Sequence, residues 1–300
     1  MADQKRVLLV TGASGHLGRR VVELLLEAKA GHIVAATRTP EKLKDLAAKG
    51  AEIRHADFDD PASLDKAFAG AERLLLISTD ALDKPGHRFA QHQKAVEAAG
   101  RTGVKHVLYT SMPNPEPGNP ITFAPDHYNT EKILAASKLG WTILRHNWYS
   151  DYLVPRLSQA VAMGKLISPP GKSGAAYITR EDCAKADAAA LASSETGNKT
   201  VNITGPAIIP NDLLAKLAAS ITGKPVEPVI LEPAQIKAGL AKAGVPEFLH
   251  DFLVSMDVAI AQGNLAVVSN SVKDLTGRAP ESVETYLTGQ KQALLAPPVH

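Results

Sequence analysis

The chain has one cysteine in 300 residues, few aromatics, no block of like charge and no long apolar run. A single thiol, Cys183, forms no internal disulfide and supplies no thiolate cluster for a metal. Its neighbours Arg180, Glu181, Asp182 and Lys185 are of mixed sign, which suits a small packed residue better than a nucleophile. A net charge of +2 without a basic run argues against a nucleic-acid surface. No stretch approaches the ~18 apolar residues of a membrane span. Residues 1–6 are polar and only four apolar residues follow, so no signal peptide is read and a cytoplasmic location is expected. Ten histidines occur without His-x-x-x-His or carboxylate–histidine spacing, so no metal is expected. With 45% apolar and 21% charged residues the composition is that of a globular protein. The length suits one large domain or two small ones.

What is present begins almost at the start, with Val7-Leu8-Leu9-Val10-Thr11-Gly12-Ala13-Ser14-Gly15-His16-Leu17-Gly18. A short apolar run breaks into glycines three residues apart, and Leu17, Val21, Leu24 and Leu25 then follow at helical spacing. A strand, a tight turn and a helix N-terminus in that order make a place for a phosphate against bare backbone. Gly12 makes the turn, Gly15 admits the pyrophosphate, and Gly18 lets the helix pack close to the strand. Ala13, Ser14, His16 and Leu17 belong to the same cofactor-binding loop.

As far as residue 147 the pattern alternates. Candidate strands cover residues 7–10, 33–37, 52–56, 74–78, 106–110 and 141–145, with helical stretches at 17–28, 41–49, 61–68, 88–101 and 126–138. This predicts an α/β fold, a doubly wound parallel sheet of Rossmann-like type with its ligand crevice at the carboxyl ends of the strands. After strand two stands Arg38, with Lys42 a turn later and no acid before Glu41. An NAD-preferring site places an acid here. A guanidinium instead holds the 2′-phosphate of NADP, each charge-assisted bond contributing ~1.5–3 kcal/mol, so NADPH is expected over NADH. After strand three, Asp57 and Phe58 suit the adenine, while Asp60 before Pro61 suits a helix cap. After strand four, Ile77, Ser78 and Thr79 suit the ribose or nicotinamide. After strand five come Ser111 and a stiff loop with prolines at 113, 115, 117, 120 and 125.

Tyr128 and Lys132, four residues apart on the next predicted helix, share a face. An ammonium beside a phenol stabilises the phenolate and lets a tyrosine act as acid or base near neutral pH. With Ser111 orienting an acceptor oxygen, this trio makes the candidate catalytic group, although such pairs are also common on solvated helices. Trp148, Tyr149 and Tyr152 cluster just past strand six, placed either to stack on a planar substrate or to fill the core. His87 and His92 are read as helix-surface residues, and His127 stands beside Tyr128. Beyond residue 150 helices are expected at 151–163, 180–192, 211–222, 233–243, 248–261 and 281–294, with short strands near 176–179, 200–204 and 228–231. Residues 1–150 are thus expected to form the NADP-binding domain. Residues 151–300 form a smaller α/β substrate portion that can return a strand to the first, with residues 296–300 frayed. The oligomeric state is open between monomer and homodimer.

The Tyr128/Lys132 pair, the Gly12/Gly15/Gly18 turn and Ser111 resemble the short-chain dehydrogenases/reductases. The chain as a whole is more similar to the atypical branch containing the NmrA-like proteins, and within it to the type 2 NAD(P)H:quinone oxidoreductases and triphenylmethane reductases. The resemblance runs through residues 11–18, 68–70, 74–78, 103–106, 130–132, 144–150 and 179–182. It implies NADPH with Arg38 at the 2′-phosphate, hydride transfer to a flat conjugated acceptor, and His146-Asn147-Trp148-Tyr149 closing over the nicotinamide. It also implies Lys132 at the cofactor ribose. The quinone-reductase group is not defined by a tyrosine at the position of Tyr128, so that residue stays open between acid and bystander. Two other readings follow from the same residues: an NmrA-like redox sensor that binds NADP(H) without catalysis, and a sugar-nucleotide epimerase or dehydratase. The second lacks an arginine cluster for a further phosphate in the C-terminal portion. No partner beyond a small planar acceptor is expected, neither nucleic acid nor membrane.

Overall fold

The computed structural model describes residues 6–297. Most of the polar N-terminal stretch, and residues 298–300 of the stretch expected to fray, lie outside the described residues. The first half alternates β1 (Val7–Val10), α1 (His16–Glu27), β2 (His32–Thr37), a 3-10 turn with α2 (Lys44–Ala48), β3 (Glu52–His55), α3 (Pro61–Phe68), β4 (Arg73–Leu76), α4 (His87–Arg101), β5 (His106–Ser111), α5 (Ala124–Ala136) and β6 (Gly140–His146). The second half holds α6 (Leu153–Met163), β7 (Lys165–Ser168), β8 (Gly174–Ala175), α7 (Arg180–Ala192), β9 (Lys199–Ile203), β10 (Ile209–Pro210), α8 (Asn211–Thr222), β11 (Glu227–Ile230), α9 (Pro233–Lys242), α10 (Glu247–Gln262), α11 (Ser271–Thr276), α12 (Val283–Gly289) and α13 (Lys291–Leu295).

Seven strands form one sheet in the order β3-β2-β1-β4-β5-β6-β9, and every neighbouring pair is parallel. This is the α/β sheet the alternation predicted. Its central strands are buried on both faces because helices cover both. Val21, Val22 and Leu25 of α1 and Cys183 and Leu191 of α7 pack on one face. Leu64 and Phe68 of α3, Ala95 and Ala99 of α4 and Leu134 of α5 pack on the other. A third apolar cluster joins α6, α8 and α10 through Leu157, Leu214 and Met256, and takes in Met112 and Phe123 from the proline-rich loop. Cys183 is fully buried.

Local chemistry sets several boundaries. Asp60 caps α3 by accepting the Ala62 amide at 3.0 Å, with Pro61 in the first helical position. The Thr179 side chain caps α7. The predicted helix at 126–138 stops earlier, at Ala136, and Gly140 opens β6, where a side chain would stand 2.7 Å from His106 Nδ1. The single helix predicted at 281–294 is two, parted at Gln290. The direction in which successive strands are added reverses between β1 and β4, which puts the ligand crevice at their carboxyl ends. Thr11 ties the two strands there: its Oγ donates to Leu75 O at 3.2 Å and accepts Ile77 N–H at 2.9 Å.

Candidate active site

The carboxyl ends of the central strands open onto one cavity of about 720 Å³. At one end stands the glycine turn. Gly12 adopts φ +61°, a left-handed conformation that glycine tolerates at little cost. A Cβ on Gly15 would crowd the Gly12 carbonyl oxygen at 3.3 Å. α1 starts behind Gly15 with no side-chain cap and no acid in its first turn. Its first amides therefore keep free donors and the helix presents its positive end. Gly12, Ser14, Gly15, His16, Leu17 and Gly18 line the cavity. Ala13 does not: its N–H bonds Ala36 O at 3.1 Å and its side chain is fully buried in the core. Bare backbone, free donors and no carboxylate fit a dinucleotide pyrophosphate.

At the next strand end Thr37 Oγ donates to Ser14 Oγ at 2.8 Å, fixing β2 to the turn. Arg38 is exposed on the cavity wall and makes no ion pair or side-chain hydrogen bond among the described residues. Asp57, Phe58, Ile77, Ser78 and Thr79 also line the cavity. One Asp57 oxygen accepts the Asp59 amide at 2.9 Å, and Phe58 is buried. Ser78 N–H donates to Thr110 Oγ at 2.9 Å and Thr79 N–H to His92 Nε2 at 3.0 Å.

The candidate catalytic trio separates. Ser111 lines the cavity, whereas Tyr128 is half-buried and Lys132 exposed, and neither lines it. The buried residues of α5 are Ala124, His127, Thr130, Glu131 and Leu134. One residue further along a helix turns about 100°, so the pair four apart that faces inward is His127 and Glu131. That corrects the catalytic reading of Tyr128 and Lys132. The orienting role of Ser111 also changes, because its hydroxyl donates to Glu131 Oε1 at 2.6 Å and offers the cavity only lone pairs. Glu131 accepts from Arg145 Nε and Nη2 at 2.9 and 2.6 Å, and Arg145 Nη2 reaches Glu116 of the proline-rich loop at 2.8 Å. This cluster ties β5, α5, β6 and the loop together.

A second network lies behind the wall. Arg88 Nη2 donates to His127 Nε2 at 3.1 Å. His127 Nδ1 must then carry the proton it shares with Tyr109 Oη, 2.8 Å away. His92 accepts Thr79 N–H, so its Nδ1–H donates to Thr130 Oγ at 3.0 Å. Burial, with the Arg88 charge adding to it, holds both imidazoles well below the usual histidine range. His92 is fully enclosed, not a surface residue as its surroundings in sequence implied, because α4 presses that face onto the sheet.

Across the cavity stand the aromatics. Trp148 and Tyr152 have ring centroids 5.0 Å apart, and Tyr149 stacks on Tyr152 at 6.1 Å. Phe252 of α10 meets Trp148 at 6.5 Å and Phe123 at 5.7 Å, and all five line the cavity with Met112, Met256 and Leu265. Arg180 lies over the Tyr149 and Tyr152 rings. Asn147 also lines the cavity, yet its amide donates to Leu265 O and Val267 O at 3.0 and 3.4 Å and its oxygen accepts Trp148 N–H. It pins the 265–267 segment in place. His146 bonds the fully buried Asp187 at 2.8 Å and the Tyr149 hydroxyl at 3.2 Å. Arg88, Phe123, Phe252 and Met256 were not singled out by sequence, whereas His146 was expected only as part of the segment closing over the nicotinamide. For Arg88 a signal existed: residues 88, 92, 95 and 99 share one face, and the buried Ala95 and Ala99 mark that face as inward. Phe252 and Met256 are distant in sequence and carry no local signal.

The profile of the NAD(P)H-binding family matches residues 12–194. The chain therefore belongs to that family of NAD(P)H-binding proteins. It is 36% identical over 275 residues to quinone oxidoreductase 2 of Escherichia coli K12, covering 90% of this chain and 94% of the relative. Among solved structures, the NADPH-dependent quinone oxidoreductase of E. coli complexed with NADPH superposes with a TM-score of 0.88 at 33% identity, over 94% of this chain and 99% of that one. The triphenylmethane reductase of Citrobacter sp. complexed with NADP(H) gives 0.86 at 32% identity, over 95% and 99%. The resemblance read from the motifs is borne out, and the cofactor class is NAD(P)H.

Proposed function

We propose that the protein is an NADPH-dependent oxidoreductase that passes hydride to a quinone or a similar conjugated acceptor. The observation that carries this is the continuity of the cavity, from the bare glycine turn to the slot walled by Trp148, Tyr152, Phe123 and Phe252. Gly12 and residues 14–18 take the pyrophosphate and Arg38 the 2′-phosphate. Asp57 and Phe58 meet the adenine, while Ile77, Ser78, Thr79 and Ser111 border the nicotinamide half. Residues 1–150 in this reading hold the cofactor, and residues 151–300 supply the acceptor wall, mainly through Tyr152 and α10. When bound, the reduced nicotinamide supplies a hydride. The chain itself orients the acceptor against it and keeps water out with aromatic surface. A quinone is already electrophilic, so the reaction needs no strong acid, which agrees with His127, held well below the usual histidine range by burial, and with a serine whose proton is turned away.

A redox sensor needs the dinucleotide cradle but has no use for the aromatic slot beyond it, and that slot favours catalysis. Related proteins reduce quinones and triphenylmethane dyes by name. The reaction is placed in the cytoplasm, where NADPH is held reduced, with a small planar molecule as the protein's partner. The test is loss of NADPH absorbance when naphthoquinones, benzoquinones and enones are added to the protein. Turnover of at least one quinone is expected. Binding of NADPH with no turnover of any of them would overturn the reading in favour of the sensor.

A further inference from the structure

Among the described residues two arginines are buried, and they are treated differently. Arg73, at the start of β4, gives Nε to Leu191 O at 3.0 Å, Nη1 to Glu195 O at 2.6 Å and Nη2 to Ala190 O at 3.2 Å. It closes the carboxyl end of α7, and its charge meets the negative end of that helix. Arg88 is only 8% exposed and lines the cavity. Its sole side-chain hydrogen bond among the described residues is the one from Nη2 to His127 Nε2. Buried Nε has no partner, and no carboxylate among the described residues comes within 4.0 Å of the guanidinium. Of the carboxylates lining the cavity, Asp83 is held by His87 and Asp59 by His87, Gln91 and Lys94, while Asp57 and Asp80 make no ion pair among the described residues. Asp80 and Asp126 act on the Arg88 charge only from beyond ion-pair distance. The Phe123 ring, 4.9 Å from Arg88 Cζ, softens the charge without matching its donors.

A guanidinium stays charged even when burial disfavours the charge. Leaving one unpaired in a low-dielectric wall is costly unless an anion completes it. Arg88 stands beside Phe123 and His127, at the end of the cavity that holds the aromatic slot.

We propose that Arg88, steered by His127, selects acceptors that carry or develop an oxygen anion and turns away cationic ones. This rests on the reading above and narrows its substrate class to quinone-like carbonyls, against the triarylmethane cations. The chemistry fits. The nicotinamide C–H bond breaks with its electron pair, a bond from that hydrogen to the quinone forms, and the cofactor becomes NADP⁺. The two electrons end on a carbonyl oxygen, giving the hydroquinone monoanion, which takes one proton from water. The guanidinium faces that oxygen as its charge develops. A dye cation loses its charge on taking hydride, so the same guanidinium opposes its binding and gains nothing in its reduction.

The experiment measures binding of two flat probes of equal shape, 1-naphthoate and 1-naphthamide, to the NADP⁺-loaded protein, beside turnover of a neutral naphthoquinone and a triarylmethane cation. The wild type should prefer naphthoate over naphthamide by about ten- to hundredfold, the range of one charge-assisted contact. Arg88→Met should erase that preference, lower quinone kcat/KM and raise kcat/KM for the dye cation, with the affinity for NADPH unchanged. Arg88→Lys should restore part of the preference, and it serves should the methionine variant fold poorly. Equal binding of the two probes by the wild type would overturn the proposal. So would a loss of NADPH affinity in both variants that parallels every other loss, since Arg88 would then be a cofactor ligand. If naphthoate is preferred but no quinone is reduced, the oxidoreductase reading falls and the anion site stands.

Discussion

A Cβ placed on Gly18 would stand 2.8 Å from the carbonyl carbon of Gly12. The first turn of α1 therefore rests directly on the glycine turn, and the closeness of these two residues sets where the helix amides point. Gly18→Ala should cost about 1–3 kcal/mol as the helix is pushed off the strand. It should also weaken NADPH binding, because the amides move away from the pyrophosphate. Thermal melts with and without NADPH check both: the apo midpoint should fall and the shift produced by NADPH should shrink.

Arg38 makes no ion pair among the described residues and stands exposed at the end of β2. Arg38→Ala should raise the Kd for NADPH about ten- to hundredfold, the loss of a charge-assisted bond to phosphate, and leave NADH nearly unchanged. Titration of both nucleotides reads this directly. Equal weakening would take the 2′-phosphate away from Arg38.

The fold was legible because its signals are local. The apolar runs that became β1 to β6, Asp60-Pro61 at the head of α3, and the glycine turn each act within a few residues. The site was legible only where a strand end projects into the crevice, as at Gly12, Arg38 and Ser78. On α5 the same reading failed by one position. Tyr128 and Lys132 have the correct spacing, but spacing does not fix which face of a helix meets the sheet. That is decided by the burial of His127, Thr130 and Leu134. The short strands β7 and β10 pair only with β11 and β8, remote segments that no local pattern announces.

Tyr128→Phe and Lys132→Ala should each leave kcat/KM within about twofold, a change worth less than about 0.5 kcal/mol. Glu131→Ala should behave quite differently. It strips the carboxylate from Arg145 and Ser111 in a nearly closed environment, where breaking a buried pair costs about 3–5 kcal/mol. Exposed Glu116 still holds Arg145 and limits the loss to the lower end of that range. Denaturant midpoints of the three variants, set beside their kinetics with one quinone, separate the two faces of α5.

Acid should destabilise the protein through its buried imidazoles. His92 and His127 are held well below their ordinary range by burial, and His106 is pushed down to about 4. Near pH 6.5 and below, the unfolded chain takes up protons that the folded chain refuses, so stability falls as pH falls. Each such site contributes about 1.4 kcal/mol per pH unit between its unfolded and folded values. Exposed His87, raised by its hydrogen bonds to Asp83 and Asp59, runs the other way and loses its small, solvent-screened contribution as pH rises through its folded value. The net of the other three imidazoles is a decline below about pH 6.5, ahead of the carboxylates. Urea midpoints across that range check it. A flat profile down to pH 5 would mean that these imidazoles are charged in the fold.

In the proposed reaction hydride leaves the nicotinamide within this cavity and reaches a conjugated carbonyl acceptor. The most direct measurement uses NADPH deuterated on one face or the other of its nicotinamide C4, mixed with the protein and a naphthoquinone in a single turnover. Deuteration of one face should slow NADPH oxidation, and deuteration of the other should not. Binding of NADPH without oxidation, or oxidation at equal rates with both labels and with unlabelled NADPH throughout, would contradict hydride transfer by this site.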